Sequence, residues 1–142
     1  EWPDALPLLI RVSATDWIEG GWSVEETVEL CRWLKGNGID LVDVSSGGMS
    51  PAAVIPAGPG FQTGFAARVR AEAGIATAAV GLITSAQQAD HIVRSGQADL
   101  VLVGREILRQ PQWPLTAAQA LGLSVNWPAQ YLRAAPAGTP MR

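Results

Sequence analysis

The sequence is poor in cysteine and histidine, with one of each, Cys31 and His91. A single thiol excludes an intrachain disulfide and any cysteine-cluster metal site, so no metal is expected, and the reading fits a reducing cytoplasm. A basic excess is missing too. Ten Lys and Arg against thirteen Asp and Glu leave a formal net charge of −3. That balance gives no footprint for nucleic acid or an anionic membrane surface. No apolar run approaches the roughly 20 residues that a membrane helix needs. Two phosphate-binding fingerprints are also absent. The turn after the first apolar run reads "RVSATDWIEGG", without G-x-G-x-x-G, and no P-loop pattern occurs. What remains is an ordinary globular composition, 142 residues long and 48% hydrophobic, enough for one core. The chain opens "EWPDALPLL" rather than with Met, which raises the expectation that it is processed or cut from something longer.

Four short apolar runs are present: "LPLLIRVS" (6–13), "IDLVDVS" (39–45), "IATAAVG" (75–81) and "ADLVLVG" (98–104). Each is nearly continuous rather than alternating, the pattern of parallel strands covered on both faces. Helical patterns separate them. In "SVEETVELCRWLKGNG", Ser23 reads as an N-cap with Glu26 as its capping-box partner, and Gly36 and Gly38 mark the exit. Val24, Val28, Cys31 and Leu34 recur at helical spacing. "FAARVRAEAG" and "SAQQADHIVRSG" read as the next two helices, each stopped by glycine. "REILRQPQWPLTAAQALG" reads as one helical turn, a proline break and a second helix ending at Gly122. The order β-α-β-α-β-α-β-α predicts a parallel sheet with right-handed crossovers. Without a dinucleotide fingerprint, a TIM-barrel-type α/β repeat is the better class, and about four β/α units make half a barrel. A complete four-stranded α/β domain is the alternative.

In such a barrel the site lies at the C-terminal ends of the strands. Polar and small residues gather there: Arg11 and Ser13, then "SSGG" (45–48), then Gly81 with Thr84 and Ser85, then Gly104 with Arg105. An arginine in the first turn of a helix opposes the helix dipole unless an anion is held beside it. Gly104 and Arg105 therefore point to a phosphate-bearing ligand, approached closely by backbone and gripped by a charge-assisted contact.

The segments "LLIRVSATDW", "DLVDVSSGG", "GPGFQ", "AVGLITSAQQA", "ADLVLVGREILRQPQWP" and "PAQYLR" occur in this order and at fitting spacing. Over about residues 5–133 the chain resembles the C-terminal half of old yellow enzyme family flavoproteins (NADH:flavin oxidoreductases and ene-reductases), in the bacterial, thermophilic-like branch. The resemblance implies an FMN-binding TIM barrel, reduced by NAD(P)H, that passes hydride to activated alkenes such as enones. It implies that Arg11 lies beside the flavin N1–C2=O edge, that Ser45, Ser46 and Gly47 line the ribityl and phosphate groups, and that Gly81, Gly104 and Arg105 cradle the phosphate. Arg133 resembles an arginine that reaches a neighbouring subunit's site. The family's substrate-binding histidine pair, proton-donating tyrosine, flavin-tuning Cys or Thr and ring-contacting Gln belong to the other half, so no catalytic residue is assigned here.

The implied partners are the missing N-terminal half-barrel, from the same gene product or a separate chain, and further copies of the protein, with a small activated alkene as substrate. The implied domain spans residues 1–133, followed by a disordered Pro/Ala/Gly-rich tail over 134–142. Two other functions fit the residues alone: the phosphate-binding half of another TIM-barrel enzyme, and a non-catalytic half-barrel that binds or assembles. Plainer roles stand beside the functional ones. Cys31 is expected to fill the core and His91 to lie on the surface. Trp33 and Trp113 are expected to pack, while Trp17 and Trp22 suit either the core or a site rim. Arg11 and Arg105 could serve in structural ion pairs, and Arg133 could sit in a frayed tail.

Overall fold

A computed structural model describes residues 2–3 and 5–137. The four apolar runs form β1 (Leu9–Ser13), β2 (Leu41–Ser45), β3 (Ala76–Val80) and β4 (Leu100–Leu102). They lie in the order β1-β2-β3-β4, and every neighbouring pair is parallel. Between and after them come α1 (Val24–Gly36), α2 (Thr63–Ala73), α3 (Ala86–Arg94), α4 (Arg105–Arg109) and α5 (Trp113–Ala120). A 3-10 helix covers Ala129–Ala134. The expected alternation is therefore present, with somewhat shorter strands than the apolar runs. β1 starts only after Pro7, which has no N–H to give a ladder. The tail expected over 134–142 lies outside the described residues from 138 onward.

Local chemistry explains the element ends. At the start of α1 the Ser23 hydroxyl accepts from Glu26 N, while the Glu26 carboxylate accepts from Ser23 N, closing the capping box. Ser85 caps α3 through Gln88 N at 3.1 Å. α2 ends at Gly74, whose φ of 65° suits a residue without Cβ. The repeated "IDLV" and "ADLV" do a second job. Asp40 gives its N–H to Leu8 O and takes Leu8 N–H on its carboxylate, at 2.9 and 2.8 Å. Asp99 makes the same reciprocal pair with Thr77, both bonds 2.9 Å. Each aspartate thus locks the start of its strand to the strand before it.

Asp99 also takes Arg70 Nε on both oxygens at 3.0 Å. That hydrogen bond first, and the Thr77 N–H after it, hold the Asp99 carboxyl below the usual range against partial burial. A depressed folded pKa contributes stability above the unfolded value, and the contribution is lost as pH falls through the folded one. Asp99→Asn is therefore expected to lower the urea midpoint at pH 7 and to leave a shallower fall in stability below pH 4, the ordinary aspartate range. An unchanged acid limb in urea titrations would show that Asp99 does not link folding to pH.

The helices gather on one face of the sheet. Val28, Cys31 and Leu34 of α1, Ala66 and Val69 of α2, and Ala89 and Ile92 of α3 join Val42, Val44 and Ala79 in one buried cluster. Ile10, Val12 and Val101 pack against it. Side chains alternate along a strand, so Leu9, Arg11, Asp43, Ala78 and Leu100 take the opposite face. At its two edges this face is open, with Leu9 51% and Leu100 50% exposed. Helices on one face of a parallel sheet are the geometry of a barrel wall, whereas doubly wound sheets carry them on both. The chain is four consecutive β/α units of half-barrel type.

Cys31 is fully buried, and burial pushes its thiol up to about 11. His91 is exposed on α3. Trp113 is half-buried, packs against the core and donates its indole N–H to Thr84 O at 3.0 Å. Trp33 departs from the packing role expected of it, because it projects from the outer side of α1 and is 62% exposed. Among the described residues no helix is long and apolar enough to cross a membrane, and no group of three His, Cys, Asp or Glu could hold a metal ion.

Candidate functional site

The loops after β1, β2 and β3 are tied together at the C-terminal ends of their strands. The Trp17 indole N–H donates to Ser46 Oγ at 2.9 Å, and Ser46 Oγ donates to Gln62 Oε1 at 2.7 Å. The Gln62 amide in turn donates to Val80 O at 3.0 Å. Ser45 Oγ reaches the same Gln62 oxygen at 3.4 Å, and Ser13 Oγ donates to Gly47 O at 3.3 Å. Gln62 is 4% exposed, so this strap is buried at its centre. Trp17 holds a φ of 60°, a left-handed conformation disfavoured for a residue with Cβ by about 1–2 kcal/mol. Its bond to Ser46 and its edge contact with Phe65, 5.3 Å between ring centroids, keep it there.

The glycines divide by role. A Cβ on Gly47 would come within 2.6 Å of Ile55 Cδ1, and its φ is +69°. A Cβ on Gly81, at φ +122°, would meet Gln62 Nε2 at 2.9 Å and Phe61 Cε1 at 3.0 Å. Both are required by the loops' own packing. Gly104 is different, since a Cβ there would meet nothing within 4 Å.

Gly81 and Gly104 border a cleft of about 180 Å³ at the ends of β3 and β4, walled also by Thr84, Arg105 and Arg109. Arg105 is exposed and has no hydrogen bond or ion pair among the described residues. Arg109, one turn on, is occupied: its guanidinium donates twice to the buried Glu106 carboxylate, at 2.9 and 2.7 Å. Glu106 is thus neutralised from one side, and Arg105 keeps its charge for the cleft. The structure brings Ser45, Ser46, Gly81, Gly104 and Arg105 to one end of the sheet. Of the hydroxyls there, Ser46 is already engaged as donor and acceptor, and Ser85 is spent on the α3 cap.

Arg11 is not at the strand end where its position in the sequence suggested. It sits in the middle of β1, two residues or about 7 Å below Ser13, in register with Asp43. Its Nε donates to Asp43 Oδ2, and its side chain remains 61% exposed on the helix-free face. Arg133 is exposed on the 3-10 helix, with no hydrogen bond or ion pair among the described residues. Sequence reasoning passed over Gln62, Asp43 and Arg109. Gln62 stood in the quoted "GPGFQ", but nothing local signals that its amide ties the two ends of the β2 loop to each other and to the end of β3.

The family model of the NADH:flavin oxidoreductase / NADH oxidase family matches residues 3–124. NADPH dehydrogenase of Bacillus licheniformis is 51% identical over 128 residues, 90% of this chain and 38% of the relative. That of Halalkalibacterium halodurans is 49% identical over the same shares. The chain thus spans well under half the length of these curated relatives. Among solved structures, histamine dehydrogenase from Rhizobium sp. 4-9 superposes with a TM-score of 0.67 over 82% of this chain and 17% of the other, at 24% identity. 2-Chloromuconate cycloisomerase from Rhodococcus opacus 1CP follows at 0.50 over 86% of this chain and 29% of the other, at 21% identity; these two likenesses speak for the fold alone. With 122 of its residues under one family model and half-identical relatives across nine-tenths of its length, the chain belongs to the NADH:flavin oxidoreductase / NADH oxidase family.

Proposed function

We propose that this chain supplies the phosphate-holding side of an FMN site in an NAD(P)H-dependent oxidoreductase. The observation that carries the reading is Arg105, a guanidinium without a partner among the described residues, at a glycine-bordered cleft where β3 and β4 end. The cleft suits a phosphate in size, and the open space at Gly104 lets a ligand reach the backbone. α4 has only five residues, so its dipole adds little and the charge of Arg105 dominates. Gly81, Gly104 and Arg105 would take the phosphate, and Ser45, Ser46 and Gly47 would border the ribityl chain. Arg11 would face the N1–C2=O edge, where a fixed positive charge stabilises negative charge on the ring. FMN held there would supply hydride-transfer chemistry between NAD(P)H and an activated alkene such as an enone. Arg133 would extend toward the site of a neighbouring subunit, which makes the complete protein a homo-oligomer.

The test uses the full-length protein, in which this chain is joined to the remainder that its relatives carry. It is expected to purify yellow and to oxidise NADPH in the presence of cyclohexenone. Arg105→Ala is expected to weaken FMN binding by about 1.5–3 kcal/mol, or about 10- to 150-fold, the usual worth of a hydrogen bond to a charged group. Riboflavin, which lacks the phosphate, is expected to bind the parent and the variant alike. Equal weakening of both flavins would make Arg105 structural. A colourless protein that binds a phosphosugar would favour the other reading of the same cleft.

A further inference from the structure

We propose that Asp43 is the positioning residue of the site: it fixes the Arg11 guanidinium by its Nε and leaves the terminal nitrogens free for the flavin ring. The proposal rests on the FMN reading above. Arg11 and Asp43 stand opposite each other in register on β1 and β2, and the rest of their layer is Ala78 and Leu100. Two charges therefore occupy an otherwise apolar row. Asp43 is the anchored member, with its side chain 13% exposed against 61% for Arg11.

Only Arg11 Nε is used by the pair; its two terminal nitrogens make no hydrogen bond among the described residues. A guanidinium held from the side in this way loses its freedom to swing, while its terminal donors remain for a planar acceptor. Stability alone is a weak reason for such a pair, because an ion pair with one partner largely exposed contributes only about 0–1 kcal/mol. Asp43 Oδ1 sharpens the point. It is buried without a partner among the described residues, so the carboxylate is not placed to satisfy itself. Its one hydrogen bond goes to Arg11.

The experiment compares full-length parent, Arg11→Ala, Asp43→Ala, the double variant and Asp43→Glu by two readouts. One is the midpoint potential of the bound flavin, and the other is the exchange protection of the Arg11 Nε–H signal in ¹⁵N NMR. Asp43→Ala is expected to move the potential in the same direction as Arg11→Ala. The double variant is expected to move it no further than Arg11→Ala alone, and Asp43→Glu to recover part of the parent value. The Nε–H protection is expected to vanish in Asp43→Ala. If that variant does not fold, Asp43→Ser, polar but too short to reach Nε, is read in its place. Additive shifts, a shift of opposite sign or an unchanged Nε–H signal would overturn the role. A parent that binds no flavin yet shows a protected Nε–H would overturn the FMN reading and this role together, leaving a structural ion pair. A parent that binds flavin with additive shifts overturns the role alone.

Discussion

Purified by itself, the 142-residue chain is expected to be colourless and to show no NADPH-dependent reduction of cyclohexenone. The phosphate contact explains why. A hydrogen bond to Arg105 contributes about 1.5–3 kcal/mol, while even a 1 mM affinity needs about 4 kcal/mol. The face that carries Arg11 is open, with Leu9 and Leu100 at half exposure on its edges, so none of the described residues encloses a ring system from the other side. Catalysis further needs hydride donor and acceptor held within about 3–3.5 Å in aligned geometry, which an open wall does not supply. Mixing with the N-terminal portion of the Bacillus licheniformis relative is expected to bring back a flavin spectrum and turnover. The unpaired edges of β1 and β4 are also expected to drive association, because open strand edges pair with other chains. Robust turnover by a monodisperse monomer of this chain would sink the proposal, and it would move the catalytic groups onto residues described here as packing.

The second large effect is expected at Gln62. Gln62→Leu keeps the volume but removes the amide that joins the β2 loop to β3. Val80 O then loses its donor from Gln62, and Ser46 Oγ loses its acceptor. A buried polar group left unsatisfied costs about 1–3 kcal/mol, so the full-length protein is expected to lose about 2–4 kcal/mol in urea unfolding. The change also releases Ser46, and with it Trp17, from its left-handed conformation. FMN affinity is therefore expected to fall along with stability, whereas Arg105→Ala is expected to lower affinity and leave stability within about 0.5 kcal/mol, as usual for an exposed side chain. A Ser46→Ala, Gln62→Leu double-mutant cycle in full-length protein measures the coupling directly. Fully additive losses would mean that the two residues do not act as one strap.

The same strap shows where reading the sequence stops. Ser45, Ser46 and Gly47 stand out as small, polar residues at a strand end, which suggests groups open to a ligand. The fold puts most of their chemistry to internal use: Ser46 takes Trp17 and gives to Gln62, and Gly47 is glycine because Ile55 and Trp17 crowd it. Both partners of Ser46 are distant in the chain, 29 and 16 residues away, so no local pattern announces them. Trp33 is a similar case. Its place on an amphipathic helix suggested packing, but it stands on the flank of α1 that no described element covers.

The elements, their order and their class can be read from the chain residue by residue. Those follow from local chemistry: the Ser23–Glu26 capping box, glycine exits at 36, 38 and 74, apolar runs of strand length, and the alternation that forces parallel crossovers. The sequence also pointed to Arg105 beside Gly104 by a helix-dipole argument that the five-residue α4 weakens, leaving the exposed charge itself as the signal. What each polar group has left to offer depends on long-range packing. Arg11 could be read as a strand-end arginine until register placed it opposite Asp43 and withdrew its Nε. Arg105 and Arg109 look equivalent in "GREILRQ" until Glu106 claims Arg109, while Arg105 has no partner among the described residues. Hydrogen bonds between residues far apart in the chain are set by packing, and a donor already spent cannot serve a ligand. That is why the polar and small residues at the strand ends were legible in the sequence, while what each has left to donate was not.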